Sequence, residues 1–118
     1  MLKKRIQDFS HNPFTEFSST WPILTAGDRN QGFNAMTVSW GGLGVLWGKN
    51  VAFVFVRKSR YTYEFIEKSN SVTLSFLSDK YKEAKSIFGT KSGRDMNKFE
   101  QTGLHPTFDI DFLSLIHI

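Results

Sequence analysis

From Asn34 to Glu67 the chain reads NAMTVSWGGLGVLWGKNVAFVFVRKSRYTYEFIE, and several changes of pattern follow one another without a polar linker. Met36, Val38 and Trp40 alternate with Ala35, Thr37 and Ser39, the period of two expected of a half-buried strand. Gly41, Gly42 and Gly44 then permit a tight bend or a close backbone approach. Val51 to Val56 is continuously apolar and rich in β-branched and aromatic residues, which predicts a buried strand. Arg57-Lys58-Ser59-Arg60 comes next, with Ser59 placed to cap a helix from about Arg60 to Lys68 whose inner side carries Tyr61, Phe65 and Ile66. This order can offer a flat apolar wall and a helix start to one elongated, anionic ligand.

The flanking segments extend the pattern. Met1 to Pro13 is polar and reads as loosely held, and Trp21 to Ala26 is a short apolar segment ending at the turn signal Gly27-Asp28. Asp28 to Phe33 reads as a loop, Val72 to Leu77 as a strand, and Tyr81 to Phe88 as a helix. Gly89 to Arg94 reads as a loop, and Asp95 is placed to cap a short helix that stops at Gly103. Phe108, Ile110 and Phe112 alternate with Asp109 and Asp111, which predicts a further strand with the two aspartates on a solvent face. Strands at short intervals with short helices predict a mainly β domain, a barrel or sandwich-like α+β fold. A doubly wound parallel sheet needs regular, longer crossover helices. No repeat, low-complexity tract or linker divides residues 1–118, so one domain is expected.

Composition narrows the function classes. Of 118 residues 40% are hydrophobic, with twelve Phe and three Trp, enough for a real core. The net charge of +4 favours anions but is scattered, and no RNP-like or helix-turn-helix pattern accompanies it, so nucleic acid is not the expected partner. With no cysteine there is no disulfide, thiolate catalysis or Cys-ligated metal, which fits a reducing compartment. Lys3-Lys4-Arg5 leads into Ile6-Gln7-Asp8 and not into an apolar run, so no secretory signal is read. Val51 to Val56 is far short of the ~20 residues of a membrane helix. A cytoplasmic protein without a membrane partner is expected.

Arg57, Lys58, Ser59, Arg60 and Thr62 gather where a strand hands over to a helix. Unpaired N–H groups, the positive end of the dipole and bidentate guanidinium groups suit a phosphate monoester. Equally, Ser59 could simply cap a helix among solvated cations. The small polar face Ala35, Thr37, Ser39 could approach a planar ring closely, or could face water; Trp40 and Trp47 could flank a ring, or belong to the core.

Other chemistries lack their patterns. Ser92-Gly93-Arg94-Asp95 is a basic loop without Walker spacing. Gly41-Gly42-x-Gly44 fails the dinucleotide fingerprint, because Trp47 stands where its third glycine would fall. His11, His105 and His117 are far apart with no partner at metal-ligand spacing, and no Gly-x-Ser-x-Gly occurs. An enzyme built on this chain would need a cofactor to bring the reactivity.

The chain resembles the flavin reductase-like family, the flavoredoxin-type FMN-binding split β-barrels. The resemblance runs from Asn12 to Leu104 through NPF at Asn12–Phe14, ILTAGD at Ile23–Asp28, Asn34–Trp47, Val51–Glu67, TLSF at Thr73–Phe76, SGRD at Ser92–Asp95 and TGL at Thr102–Leu104. It implies an FMN-binding homodimer that moves electrons through the flavin, with no side chain needed as acid or base. By that resemblance the strand matching Asn34 to Trp40, with Met36, Thr37, Val38, Ser39 and Trp40 as its binding residues, lines the isoalloxazine. The segment matching Arg57 to Thr62, with Ser59, Arg60 and Thr62, approaches the ribityl phosphate, and the loop matching Ser92 to Lys98, with Arg94, Asp95 and Lys98, closes over the cofactor.

The implied activity is transfer of a hydride from NAD(P)H, a transient reductant, to FMN and of electrons onward to an acceptor. The alternative is a non-catalytic FMN electron carrier serving redox protein partners. Two departures stand out. Phe88 occupies a position that is Cys in some members, so chemistry needing that thiol is not expected. Family domains continue well past the position of His105, and Leu113 to Ile118 does not resemble them. The expectation is therefore a split barrel that lacks the C-terminal part of the family domain.

Overall fold

The computed structural model describes residues 6–69, 71–108 and 113–117, with side chains as far as Pro106. Its centre is a pair of antiparallel strands, β1 (Ile23–Asp28) and β2 (Gly32–Thr37), in register from Ile23 opposite Thr37 to Asp28 opposite Gly32. The Asp28 carboxylate accepts hydrogen bonds from the N–H groups of Asn30 (2.8 Å) and Gln31 (2.6 Å), which ties the turn. The loop expected over Asp28–Phe33 therefore shrinks to residues 29–31. Gly27 has φ +112°, and a Cβ there would stand 2.2 Å from the Gly32 carbonyl oxygen, so the crossing needs glycine. Strand β5 (Val72–Ser75) pairs antiparallel with the other edge of β1.

Both faces of this sheet are covered. Leu24, Ala26, Met36 and Val38 point to one side, where Phe17, Phe65, Ile66, Leu74 and Phe76 pack on them. Ile23 and Ala35 point to the other, against Phe88 and Leu104, with Tyr81, Ala84 and Phe99 around them. The alternation in Ala35–Val38 is real, but it sorts residues between two cores and not between core and water. Helix α2 (Tyr61–Lys68) lies on the first face. Helices α3 (Lys82–Thr90) and α4 (Lys98–Thr102) lie on the second, with strand β6 (Leu104–Phe108).

Local chemistry sets the helix ends, not always at the expected residue. Asn97, not Asp95, caps α4: its side-chain oxygen accepts from the N–H groups of Phe99 (3.1 Å) and Glu100 (3.3 Å). The helix stops at Gly103, as expected, in the left-handed conformation at φ +73°. The N-cap of α2 is Arg60, with extended φ and ψ and no side-chain cap, so Ser59 does not cap it. From Ile6 onward the N-terminal segment is better held than its polarity implied, and Met1 to Arg5 lie outside the described residues. Helix α1 (Pro13–Thr15) starts at an Asn12 cap, Phe9 stacks edge-on against Phe76, and His11 pairs with Glu16 at 2.8 Å.

The glycine run, expected to permit a tight bend or a close backbone approach, lies in a strand and serves the second at Gly41. Strands β3 (Gly41–Leu46) and β4 (Lys49–Val54) form a hairpin whose two-residue turn, Trp47-Gly48, has φ of 53° and 70°. Positive φ at both positions matches the twist of a tight hairpin. A Cβ on Gly41 would meet the Phe53 carbonyl oxygen at 2.2 Å, so the glycine allows this pairing. The expected burial of Val51–Val56 is not found: Val51, Val54 and Val56 are half-buried, but Phe53 and Phe55 are exposed, Phe55 by 66%. Trp40 and Trp47 are not core either, at 57% and 89% exposure.

A last hairpin pairs β6 with β7 (Leu113–His117), whose backbone runs beside β1 and β5. Of the strand expected over Phe108–Phe112, Phe108 ends β6, and Asp109 to Phe112 lie outside the described residues. The described strands pair antiparallel in three groups with short helices between them, the mainly β class expected. Among the described residues no helix is long and apolar enough to cross a membrane.

Candidate functional site

Beyond Thr37 the chain leaves the sheet but stays extended, because the Val38 N–H donates to the Pro22 carbonyl at 2.9 Å. Ser39 and Trp40 are thereby carried out to the surface beside the end of β4, where the Phe55 N–H donates to the Trp40 carbonyl at 3.4 Å. Arg57 lays its guanidinium over the Trp40 ring, 4.9 Å from the centroid. These residues wall one side of a cleft of about 420 Å³ whose other side is Met36, Ser59 and Arg60.

A narrower pocket of about 150 Å³ opens from the same place, sharing Met36, Ser59 and Arg60 with the wide cleft. Its floor is Asn34, whose side-chain amide donates to the Thr62 hydroxyl at 2.9 Å with both residues buried. Its roof is the Lys91–Arg94 loop after α3. Gly93 allows the roof to approach the floor, since a Cβ there would stand 2.5 Å from the Asn34 side-chain oxygen and 2.9 Å from the Tyr61 ring. Gly89 likewise lets α3 sit on β2, where a Cβ would meet the Thr37 hydroxyl at 2.2 Å.

The narrow pocket is electropositive. Four cationic residues line it: Arg60, Lys91, Arg94 and Lys98. Arg60 donates to the Gly89 carbonyl at 3.2 Å. Arg94 reaches the Ser59 carbonyl at 3.4 Å, the Tyr61 ring at 4.9 Å and the Glu64 carboxylate at 3.6 Å. Lys98 is 2% exposed and donates to the carbonyls of Phe88 and Lys91, both at 3.2 Å. Burial, and secondarily the facing Arg60 charge, lowers its pKa to about 8. Tyr61 and Thr62 bring the first turn of α2 to the same pocket, and first-turn N–H groups have no intrahelical acceptor.

The wide cleft is lined by the aromatic Trp40 and Phe55 together with Arg57 and Arg60, and like the narrow pocket its lining includes no carboxylate, imidazole or thiol. Such a cleft can bind and orient a ring but supplies no proton-transfer group near neutral pH. The narrow end can hold a doubly charged anion.

A model of the flavin reductase like domain matches residues 14–116 of this sequence. The chain belongs to the flavin reductase-like family. No curated protein matches it significantly. Two solved structures share the fold of this flavin reductase-like chain. Flavoredoxin of Desulfovibrio vulgaris (Miyazaki F) superposes with a TM-score of 0.71 and 25% identity, covering 97% of this chain and 61% of its own. An FMN-binding domain of a flavin reductases-like enzyme from Shewanella baltica OS155 superposes with a TM-score of 0.65 and 18% identity, covering 82% and 51%. The present chain thus spans about three fifths and one half of the lengths of these two proteins.

For this flavin reductase-like chain the sequence reading can now be placed residue by residue. Met36, Thr37, Val38, Ser39, Trp40, Ser59 and Arg60 meet around the wide cleft. Thr62, Arg94 and Lys98 meet around the narrow pocket. Asp95 lines neither; its N–H donates to the Ser92 carbonyl and its side chain is exposed. Asn34 and Arg57 were expected only as the first residues of the ring-lining strand and of the phosphate segment, and Phe55 only as part of a buried strand, although all three line the site. The SGRD motif signalled the roof. Nothing in the spacing signalled Asn34, which earns its place by a contact with Thr62 across the fold.

Proposed function

We propose that this chain binds FMN in the joined clefts, the ring in the wide part and the phosphate in the narrow one, and works as a flavin-dependent oxidoreductase of the flavin reductase type. The observation that carries the reading is the shape and charge of the site: a broad cleft with Trp40 and Phe55 in its lining leads directly into a pocket lined by Arg60, Lys91, Arg94 and Lys98. A neutral planar ring with a dianionic tail matches both halves. When bound, FMN supplies the two-electron chemistry, taking hydride from NAD(P)H and yielding electrons to an acceptor. Met36, Thr37 and Val38 support the ring, Ser39 and Trp40 border it, and Ser59, Arg60, Thr62 and Arg94 position the phosphate. The setting that fits this reading is the cytoplasm, where reduced nicotinamide is at hand.

A homodimer is part of the proposal. The β3–β4 hairpin and the Trp40–Phe55 rim expose apolar side chains continuous with the mouth of the cleft, and a second copy would cover them. The likeness to a flavoredoxin favours a second reading, in which FMN carries electrons between protein partners without oxidising nicotinamide.

Anaerobic addition of NADPH or NADH to the FMN-loaded protein separates the two. Rapid bleaching of the flavin absorbance supports the reductase; slow bleaching, with fast reduction by a donor protein, supports the carrier. FMN titration of Arg60→Ala tests the site: a rise in Kd of about tenfold or more is expected for a lost charge-assisted contact of ~1.5–3 kcal/mol. An unchanged Kd removes Arg60 from the phosphate end.

A further inference from the structure

Two lysines, Lys85 and Lys98, are 2% exposed, and of the two Lys98 lines the cationic pocket. Its side chain is as buried as the core leucines, yet it ends in an amine that meets two backbone carbonyls and the Phe88 ring, 5.5 Å away. Among the described residues it has no carboxylate partner. The charged groups that face the same pocket are Arg60 from the start of α2 and Lys91 and Arg94 from the roof, all positive. The Glu64 carboxylate, 3.6 Å from the Arg94 guanidinium, is an acidic group in contact with this set. The pocket thus holds several cations with little to neutralise them, and one of them is withdrawn from water.

We propose that Lys98 makes anion binding at the narrow end of the cleft proton-linked, its ammonium being held in the charged state by the phosphate that enters beside it. The inference rests on the FMN reading of the same site and adds a property to it. Without ligand, burial and Arg60 favour the neutral amine as pH rises through about 8. A dianion in the pocket opposes both effects, so binding above that pH must take up a proton, and affinity falls as protons become scarce. Arginine does not titrate in this range, so Arg60 and Arg94 contribute a constant attraction.

The role also explains why the lysine is spent on backbone. By holding the carbonyls of Phe88 and Lys91 it joins α4 to the end of α3 and fixes the first residue of the roof. A positive charge at a helix C-terminus is favourable. Lys98 therefore positions the roof and tunes the charge of the pocket together.

The experiment is fluorescence titration of the protein with FMN and, separately, with riboflavin from pH 7 to 9.5. Riboflavin carries the same ring without the phosphate, so it subtracts any titration of the ring itself. The FMN Kd is expected to rise about tenfold over this interval, as a proton-linked shift of one to two pH units dictates, while the riboflavin Kd stays within about twofold. Lys98→Arg keeps the charge at every pH and is expected to flatten the FMN profile. Lys98→Met is expected to bind FMN more weakly at pH 7 with an equally flat profile. A flat wild-type profile, an equal slope for riboflavin, or a slope that survives in Lys98→Arg overturns the proposal. FMN that fails to bind at pH 7 overturns the FMN reading itself and this inference with it; FMN that binds with a flat profile overturns the inference alone.

Discussion

Strand β1 buries Ile23, Leu24, Thr25 and Ala26 almost completely, whereas the equally apolar hairpin β3–β4 leaves Val45, Leu46, Trp47 and Phe53 in contact with water. Length and composition do not separate the two. What differs is cover. The central sheet has α2 and Phe17 on one side and α3, α4 and β6 on the other, while the hairpin touches the core mainly through Leu43 and Val54. An apolar run makes burial favourable, but burial needs a second surface, and the hairpin has found one only for its inner residues. Its outer residues form the apolar surface that the proposed second copy would take.

The contrast can be tested by substitution. Phe88→Ala removes a fully buried ring from the second core and is expected to cost about 3–5 kcal/mol, read by urea unfolding. A loss under about 1 kcal/mol would mean that α3 does not cover the sheet as described. Thr62→Val strands the buried Asn34 amide, with an expected cost of ~1–3 kcal/mol and a weaker FMN Kd; full stability would show that the floor of the narrow pocket can rearrange.

A smaller effect comes from pH. The folded pKa of Lys98, about 8, lies below the ordinary lysine value of ~10.4. Between those values the unfolded chain holds a proton that the fold has released, so this group raises stability as pH increases through the window. Ligand-free wild type should therefore gain stability relative to Lys98→Met from pH 8 to 10, and a constant difference would count against the buried cation. The smallest folding effect belongs to the hairpin. Trp47→Ser is expected to change the unfolding free energy of the monomer by about 0.5 kcal/mol or less, yet to shift the proposed dimer towards monomer in light scattering. A large loss of monomer stability would place Trp47 in the fold and end the contrast.

Several features were legible because local chemistry writes them. The alternation of Ala35 to Val38, the helical spacing after Arg60, the stop at Gly103 and the basic SGRD loop all describe real elements. Others could not be read locally. Glycines at 41, 42 and 44 left a bend and a close backbone approach equally open, since glycine weakens a strand, and only the pairing with β4 shows that Gly41 must clear the Phe53 carbonyl. Asp95 was the expected cap, yet Asn97 holds the position because the loop tightens first on the Ser92 carbonyl. Trp40 had the character of a core residue, and its exposure follows from where β2 ends.

What the order of residues decided by itself was a set of short antiparallel strands joined by short helices, and a cluster of hydroxyl and cationic groups at one helix start, because periodicity and caps act within a few residues. Only the tertiary structure decided which apolar segments find cover, and that Arg60, Arg94 and Lys98 converge on one pocket. Those outcomes depend on contacts between segments far apart in the chain, such as Arg60 with Gly89 and Asn34 with Thr62, and no local pattern encodes a distance between strangers.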